Sequence, residues 1–129
     1  MVVLVVDDNE VNSRVYERVL NRLPGCTCRC MSKPDDALAW SAENRPALLV
    51  VDYVMPELDG IAFVKSFRSL PGHAAIPIIM LTGMNSGRVR DEAHAAGVDV
   101  FLPKPINPER FLSEARRLLK SDGAPRAEA

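Results

Sequence analysis

The 129 residues are one domain's length, 47% hydrophobic and 26% charged, the balance of a globular domain that buries its core without disulfides or metals. Sixteen Lys and Arg against seventeen Asp and Glu leave a formal net charge of −1, so no basic surface for nucleic acid is offered. No apolar run approaches the roughly 20 residues a membrane span requires. Met1 leads straight into a strand-like run with no basic signal region, which makes the cytoplasm the expected compartment.

Strand-like and helix-like segments alternate five times. Val2–Val6 is a continuous apolar run ending in Asp7-Asp8. Asn9–Leu23 follows with helical spacing at Val11, Val15, Val19 and Leu23, and Pro24-Gly25 stops it. Cys26–Met31 reads as a short alternating strand, and Pro34–Asn44 as a helix with Pro in its first turn. Leu48–Val51 is a buried run ending at Asp52. After the turn Met55-Pro56-Glu57 comes a helix over about Asp59–Leu70, then a fourth strand at Ile76–Leu81. The polar turn Thr82–Gly87 leads to a helix at Arg88–Ala96 and a short strand at Asp99–Leu102. Asn107-Pro108 opens the last helix, with Phe111, Ala115, Leu118 and Leu119 inward. The domain is expected over residues 1–120, with 121–129 a flexible tail or the start of a linker.

Apolar runs without alternation mark strands covered on both faces, and a helix between each pair makes them parallel βαβ units. Five units in about 120 residues predict an open, doubly wound α/β sheet with helices on both faces, whose ligands sit beyond the carboxyl ends of the strands. Along that edge the sequence places Asp7 and Asp8 after strand one, Asp52 after strand three, Thr82 after strand four and Lys104 after strand five. An Asp before a helix is ordinarily an N-cap, as Asp8 and Asp59 would be in isolation. Three carboxylates in one place, however, repel unless a cation joins them. An all-oxygen set with few carboxylates suits Mg²⁺, and Lys104 adds a second positive charge. Such a centre neutralises a phosphoryl group in transfer, with Asp52 as nucleophile.

At this point the chain resembles the receiver domain of two-component response regulators, over essentially residues 2–120. The resemblance rests on Asp7-Asp8, on Asp52 followed by Met55-Pro56 and Asp59-Gly60, on Thr82-Gly83 and on Lys104-Pro105. The intervals from Asp8 are 44 residues to Asp52, then 30 to Thr82 and 22 to Lys104. It implies a flavodoxin-like (βα)5 fold and a phospho-acceptor rather than an enzyme. Asp52 would take its group from a histidine kinase or phosphotransfer domain and act in its own phosphorylation and dephosphorylation. The Mg²⁺ ligands it implies are Asp7, Asp8, Asp52 and the backbone carbonyl of Val54. Thr82 would hydrogen-bond the phosphoryl oxygen, Gly83 would leave that group accessible, and Lys104, joined to Pro105 by a cis bond, would pair with it. Phe101 would be the switch aromatic that moves with Thr82 and reshapes the face of the fourth helix, fifth strand and fifth helix. That face is a candidate for homodimerisation, using charges such as Arg88, Arg90, Asp91, Asp99, Glu109, Arg116 and Arg117.

Rival readings fit less well. A phosphatase of the haloacid dehalogenase type would carry an Asp two residues beyond its nucleophile, where this chain has Val54. A flavodoxin-like cofactor carrier would need a small, hydroxyl-rich loop where Asp7-Asp8-Asn9-Glu10 stands. Apolar Val54 and Met84 cannot orient an attacking water, so slow self-dephosphorylation is expected. Kinase pairing is expected to depend on exposed first-helix residues such as Asn12, Arg14 and Tyr16. The stretches 52–56 and 67–72 are similar to receivers joined to HD-GYP cyclic-di-GMP phosphodiesterase domains, and 7–12 to receivers of hybrid kinases, so an output domain in cis or a separate protein partner is implied. Trp40 is read as packing, His73 and His94 as solvated surface. Cys26, Cys28 and Cys30 alternate, too few and too evenly spaced for a zinc site or a disulfide framework. Small hydrophobic packing is the first reading for them, redox or metal chemistry the second.

Overall fold

The computed structural model describes residues 1–55, 58–83 and 87–120. The predicted turn at Pro56-Glu57, Met84 and its neighbours in the turn 84–86, and the tail 121–129 lie outside the described residues. Five strands and five helices alternate as β1 (Val2–Val6), α1 (Glu10–Leu20), β2 (Thr27–Met31), α2 (Pro34–Glu43), β3 (Leu48–Asp52), α3 (Gly60–Ser69), β4 (Ile78–Thr82), α4 (Gly87–Ala96), β5 (Val100–Pro103) and α5 (Pro108–Lys120). The strands form one sheet in the order β2-β1-β3-β4-β5, every pair parallel. The doubly wound expectation therefore holds, and β1 and β3 flank the point where the strand order reverses.

Two apolar layers cover the sheet. Val3, Val5, Leu48, Val50, Ile79 and Leu81 face α1 and α5, meeting Tyr16, Leu20, Phe111 and Leu118. Leu4, Val6, Leu49, Val51, Ile78 and Met80 face the opposite way, against Phe63, Phe67, Val89 and Ala93. Alternate residues of one strand thus feed two cores, which is why the strands read as unbroken apolar runs. Each fully buried aliphatic side chain contributes about 1.5–3 kcal/mol.

The helix ends have local causes. Asn9 caps α1, its Oδ1 accepting from the backbone N–H groups of Val11 and Asn12. Asp59 caps α3 by accepting from Ala62 N at 2.8 Å. Asp8 is not a cap, so its carboxylate is left for other work. α1 ends at Leu20 rather than Leu23, because Asn21, Arg22 and Leu23 close a turn whose amides bond Glu17, Val19 and Leu20 carbonyls. β4 begins at Ile78, later than predicted, since Pro77 has no amide for the ladder.

Three surface expectations are corrected. His73 is buried, its ring edge-on to Phe67 at 4.9 Å and both its nitrogens facing carbonyls, Pro71 O at 2.9 Å and Asn44 O at 3.2 Å. Asp99 is largely buried because Arg68 and the Ile78 amide hold it, so it is no free partner for a second chain. Tyr16 is 3% exposed, edge-on to Phe111, and cannot read a kinase from the surface. In contrast, Asn12 and Arg14 are accessible, and His94 stays at the surface, its Nδ1 3.2 Å from Val98 O.

Candidate functional site at the carboxyl edge of the sheet

Parallel strands bring their carboxyl ends to one edge, and that edge carries the charges. Asp7 leaves β1 with its amide on Met31 O, and Asp52 ends β3 beside Leu81 of β4. One carboxylate oxygen each of Asp7, Asp8 and Asp52 lies within 4.8 Å of the others. Asp7 and Asp52 are buried and Asp8 is exposed. Lys104 is anchored by its amide on Thr82 O, and its Nζ reaches Asp52 Oδ1 at 2.8 Å and Asp7 Oδ2 at 3.6 Å.

Three carboxylates against one ammonium leave an excess of negative charge. Asp7 registers it: burial first, then the Asp52 charge, push its carboxyl up. The Asn9 amide on Oδ1 at 2.8 Å, Lys104 and the Asn12 side chain pull it partly back. A hard cation relieves such a group better than further hydrogen bonds, and its all-oxygen donors suit Mg²⁺.

Thr82 and Phe101 come together on the other side of the edge. Met80 and Phe101 are register partners in the layer under α4, and Thr82, two residues beyond Met80, projects to the same face. Thr82 is 1% exposed and Phe101 9%. The guanidinium of Arg90 on α4 lies over the Phe101 ring, 5.6 Å from its centroid. Lys104-Pro105 is a cis peptide bond, as expected. A Cβ on Gly83 would meet nothing within 4 Å, so that position is open. Val54 is 57% exposed on the rim.

Gly60, whose role the sequence does not reveal, has a definite one in the structure. A Cβ there would stand 2.5 Å from Asp52 O and 2.8 Å from Tyr53 Cα, while Gly60 N donates to Tyr53 O at 2.7 Å. The start of α3 therefore presses on the backbone of Asp52 itself. The signal was the Asp-Gly pair before an apolar helix, but only the packing shows what Gly60 touches.

A model of the response regulator receiver domain matches residues 3–116. The chain belongs to that family. It is a receiver domain of two-component signalling, built on the (βα)5 fold. It is 35% identical over 119 residues to the cyclic di-GMP phosphodiesterase response regulator RpfG of Xanthomonas campestris pv. campestris, covering 92% of this chain and 32% of that protein. It is 36% identical to the response regulator MprA of Mycobacterium ulcerans, covering 92% of this chain and 50% of that one. The chain thus spans a third to a half of these relatives. Among solved structures, the receiver domain of the sensor histidine kinase PA1611 from Pseudomonas aeruginosa PAO1 superposes with a TM-score of 0.83 at 27% identity, over 93% of this chain and 98% of that one. That structure has a magnesium ion coordinated in its active site cleft. Among the described residues of this receiver, no helix is long and apolar enough to cross a membrane.

Proposed function

We propose that Asp52 is the phospho-acceptor of this receiver, supplied by a histidine kinase or a phosphotransfer domain. The observation that carries the reading is the Lys104 ammonium 2.8 Å from the Asp52 carboxylate, inside a cluster that still holds two more carboxylates. An Asp52 oxygen attacks phosphorus while the bond from phosphorus to the donor nitrogen breaks, and that nitrogen keeps the electron pair. Lys104 pairs with the oxygens of the arriving group. Asp7, Asp8, Asp52 and the Val54 carbonyl would hold Mg²⁺, which supplies charge neutralisation for the transferred group. Gly83 leaves the approach open, and Thr82 donates its hydroxyl hydrogen bond to a phosphoryl oxygen. Thr82 and Phe101, sharing one face, carry the change to α4, β5 and α5, a bistable packing element biased by a local charge. Pro105 shapes the turn that presents Lys104.

The same reading includes self-phosphorylation from small donors and slow self-dephosphorylation, since apolar Val54 on the rim gives an attacking water no base. Residues 1–120 act as the receiver and 121–129 as a tail or linker. The signal passes to an output domain in cis or to a partner protein in the cytoplasm, and a dimer through the α4-β5-α5 face is one way to pass it. The likeness to RpfG favours an HD-GYP type of output.

Intact mass after incubation with acetyl phosphate, with and without Mg²⁺, tests the chemistry. One phosphoryl group gained only with Mg²⁺, and absent in Asp52→Asn, is the expected result. A folded, Mg²⁺-binding protein that gains none from any donor overturns the acceptor role.

A further inference from the structure

The cysteines take no part in this chemistry, yet the fold arranges them. β2 is an edge strand, with Cys28 opposite Val3 and Cys30 opposite Val5 of β1. Those valines face the α1/α5 layer, and Cys26 and Cys28 pack partly against the same layer. The alternation therefore sets three free thiols in a row along one side of the sheet's edge, two half-buried and Cys30 exposed. The strand register sets neighbouring thiols on one face, and, after burial, the charges of Cys26 and Cys30 both raise the Cys28 thiol. Cys30 also lines an open cleft of about 290 Å³ with Ser13, Arg14 and Glu17 of α1, and its Sγ lies 3.9 Å from Ser13 O.

Geometry narrows what such a row can do. Same-face neighbours on a strand stand roughly 6.6 Å apart, whereas a disulfide brings its Cβ atoms to about 3.8 Å. Cys28 and Cys30, the two cysteines within β2, therefore cannot join without breaking the strand. Tetrahedral zinc is excluded for another reason, because its four ligands must converge on one point and a row does not. A two-coordinate ion needs only two sulfurs facing each other along the strand. Two metal–sulfur bonds of about 2.3 Å end to end span about 4.6 Å, which side chains leaning toward one another reach.

We propose that the row is a binding site for a soft, thiophilic cation, Cu(I), held between two sulfurs, with Cys28 the shared ligand and Cys26 or Cys30 the second. Thiolates select Cu(I) over hard cations such as Mg²⁺, so this site and the acidic one do not compete for metal. Each Cu–S bond forms as a thiol gives up its proton, so one Cu(I) releases two protons and leaves a complex of charge −1. Arg14 in the adjoining cleft offsets that charge, while Glu17, Glu10 and Asp7 in the same cleft oppose it. Burial, the neighbouring sulfurs and Glu17 push the Cys28 thiol up to about 12. The row is therefore protonated and sluggish toward oxidants near neutral pH, and copper retention weakens as acid returns those protons.

The test titrates the whole chain, reduced and free of oxygen, against Cu(I) held by the coloured chelator bicinchoninate. Wild type is expected to withdraw one Cu(I) per chain, to shield two thiols from iodoacetamide, and to leave Zn²⁺ in solution. Cys28→Ser weakens retention at least tenfold, and Cys26→Ser and Cys30→Ser weaken it less, since each leaves one pair. Asp52→Asn keeps wild-type copper binding, which separates this site from the acidic one. If Cys28→Ser misfolds by circular dichroism, the Cys26→Ser/Cys30→Ser double variant replaces it, and tenfold weaker retention is again expected. Copper left with the chelator by wild type, or held at wild-type affinity by either variant once folded, overturns the proposal.

Discussion

The two ends of the sheet each hold a cation beside a carboxylate, and they are built to opposite ends. At the amino edge Arg68 is saturated. Its Nη1 donates to the carbonyls of His73, Ala74 and Ile76, its Nη2 to Gly97 O at 2.6 Å and to Asp99 at 3.3 Å. Asp99 in turn accepts from Ile78 N at 2.9 Å. One guanidinium thus ties the end of α3, the following loop, β4 and the α4–β5 turn together, with charge balanced and acceptors satisfied. At the carboxyl edge Lys104 faces three carboxylates and balances one. A balanced, fully bonded pair stabilises what is already there, whereas an unbalanced one is poised for a ligand that brings the missing charge.

The sharpest way to break this contrast is Arg68→Ala. Removing one partner of a buried pair leaves Asp99 and several carbonyls without their donor, so unfolding stability in urea is expected to fall by about 3 kcal/mol. Mg²⁺ affinity of the protein that remains folded should stay within about twofold, since the clasp lies at the other end of the strands. A loss of Mg²⁺ binding as large as the loss of stability would mean the two edges are coupled.

Gly60→Ala moves the damage to the functional edge. The added methyl meets backbone rather than a movable side chain, so a loss of about 2 kcal/mol is expected. Phosphorylation by acetyl phosphate should slow as well, because the displaced atoms belong to Asp52 and Tyr53. Next in size is Val54→Glu, which places a base on the rim. It should shorten the phosphoryl lifetime by about tenfold or more, measured after donor removal, without changing the melting temperature by more than a degree or so.

Asp7→Asn gives a small stability change, and its sign is the informative part. In Mg²⁺-free buffer the folded chain protonates Asp7 at a higher pH than the unfolded chain does. Between the ordinary 3.8 and the raised value, the folded state therefore binds more protons, and stability falls as pH rises through that window. Asp7→Asn removes that slope and stabilises the metal-free protein by about 1 kcal/mol, roughly 4 °C in Tm, while abolishing tight Mg²⁺ binding. A variant less stable than wild type at neutral pH without Mg²⁺ would show that Asp7 is held by its hydrogen bonds more than it is crowded by Asp52.

Much of the carboxyl edge was legible because its signals are local and repeated. Each strand is an apolar run whose last residue is named by its position, so parallel pairing alone carries Asp7, Asp52, Thr82 and Lys104 to one place. The amino edge was nearly silent. Arg68 reads as an ordinary basic residue at a helix end, Asp99 as the start of the fifth strand and a charge for the dimer face, and His73 as solvated surface. Their burial follows from contacts 29 and 31 residues apart, which no local pattern encodes. Tyr16 was misplaced for a related reason: on a helix of mixed polarity its ring went inward to Phe111 of α5, 95 residues away in sequence.

What the sequence determined by itself was the number of strands, their parallel sense and the identity of the charged edge, since period and chain order suffice for these. What only the tertiary structure decided was which polar groups are consumed by the fold and which are left over. Gly60 against Asp52, Arg68 among carbonyls and His73 edge-on to Phe67 are statements about distance. The physical reason is that a side chain's role depends on whether its partners are already satisfied, and that balance is struck only when all five strands and their helices have packed.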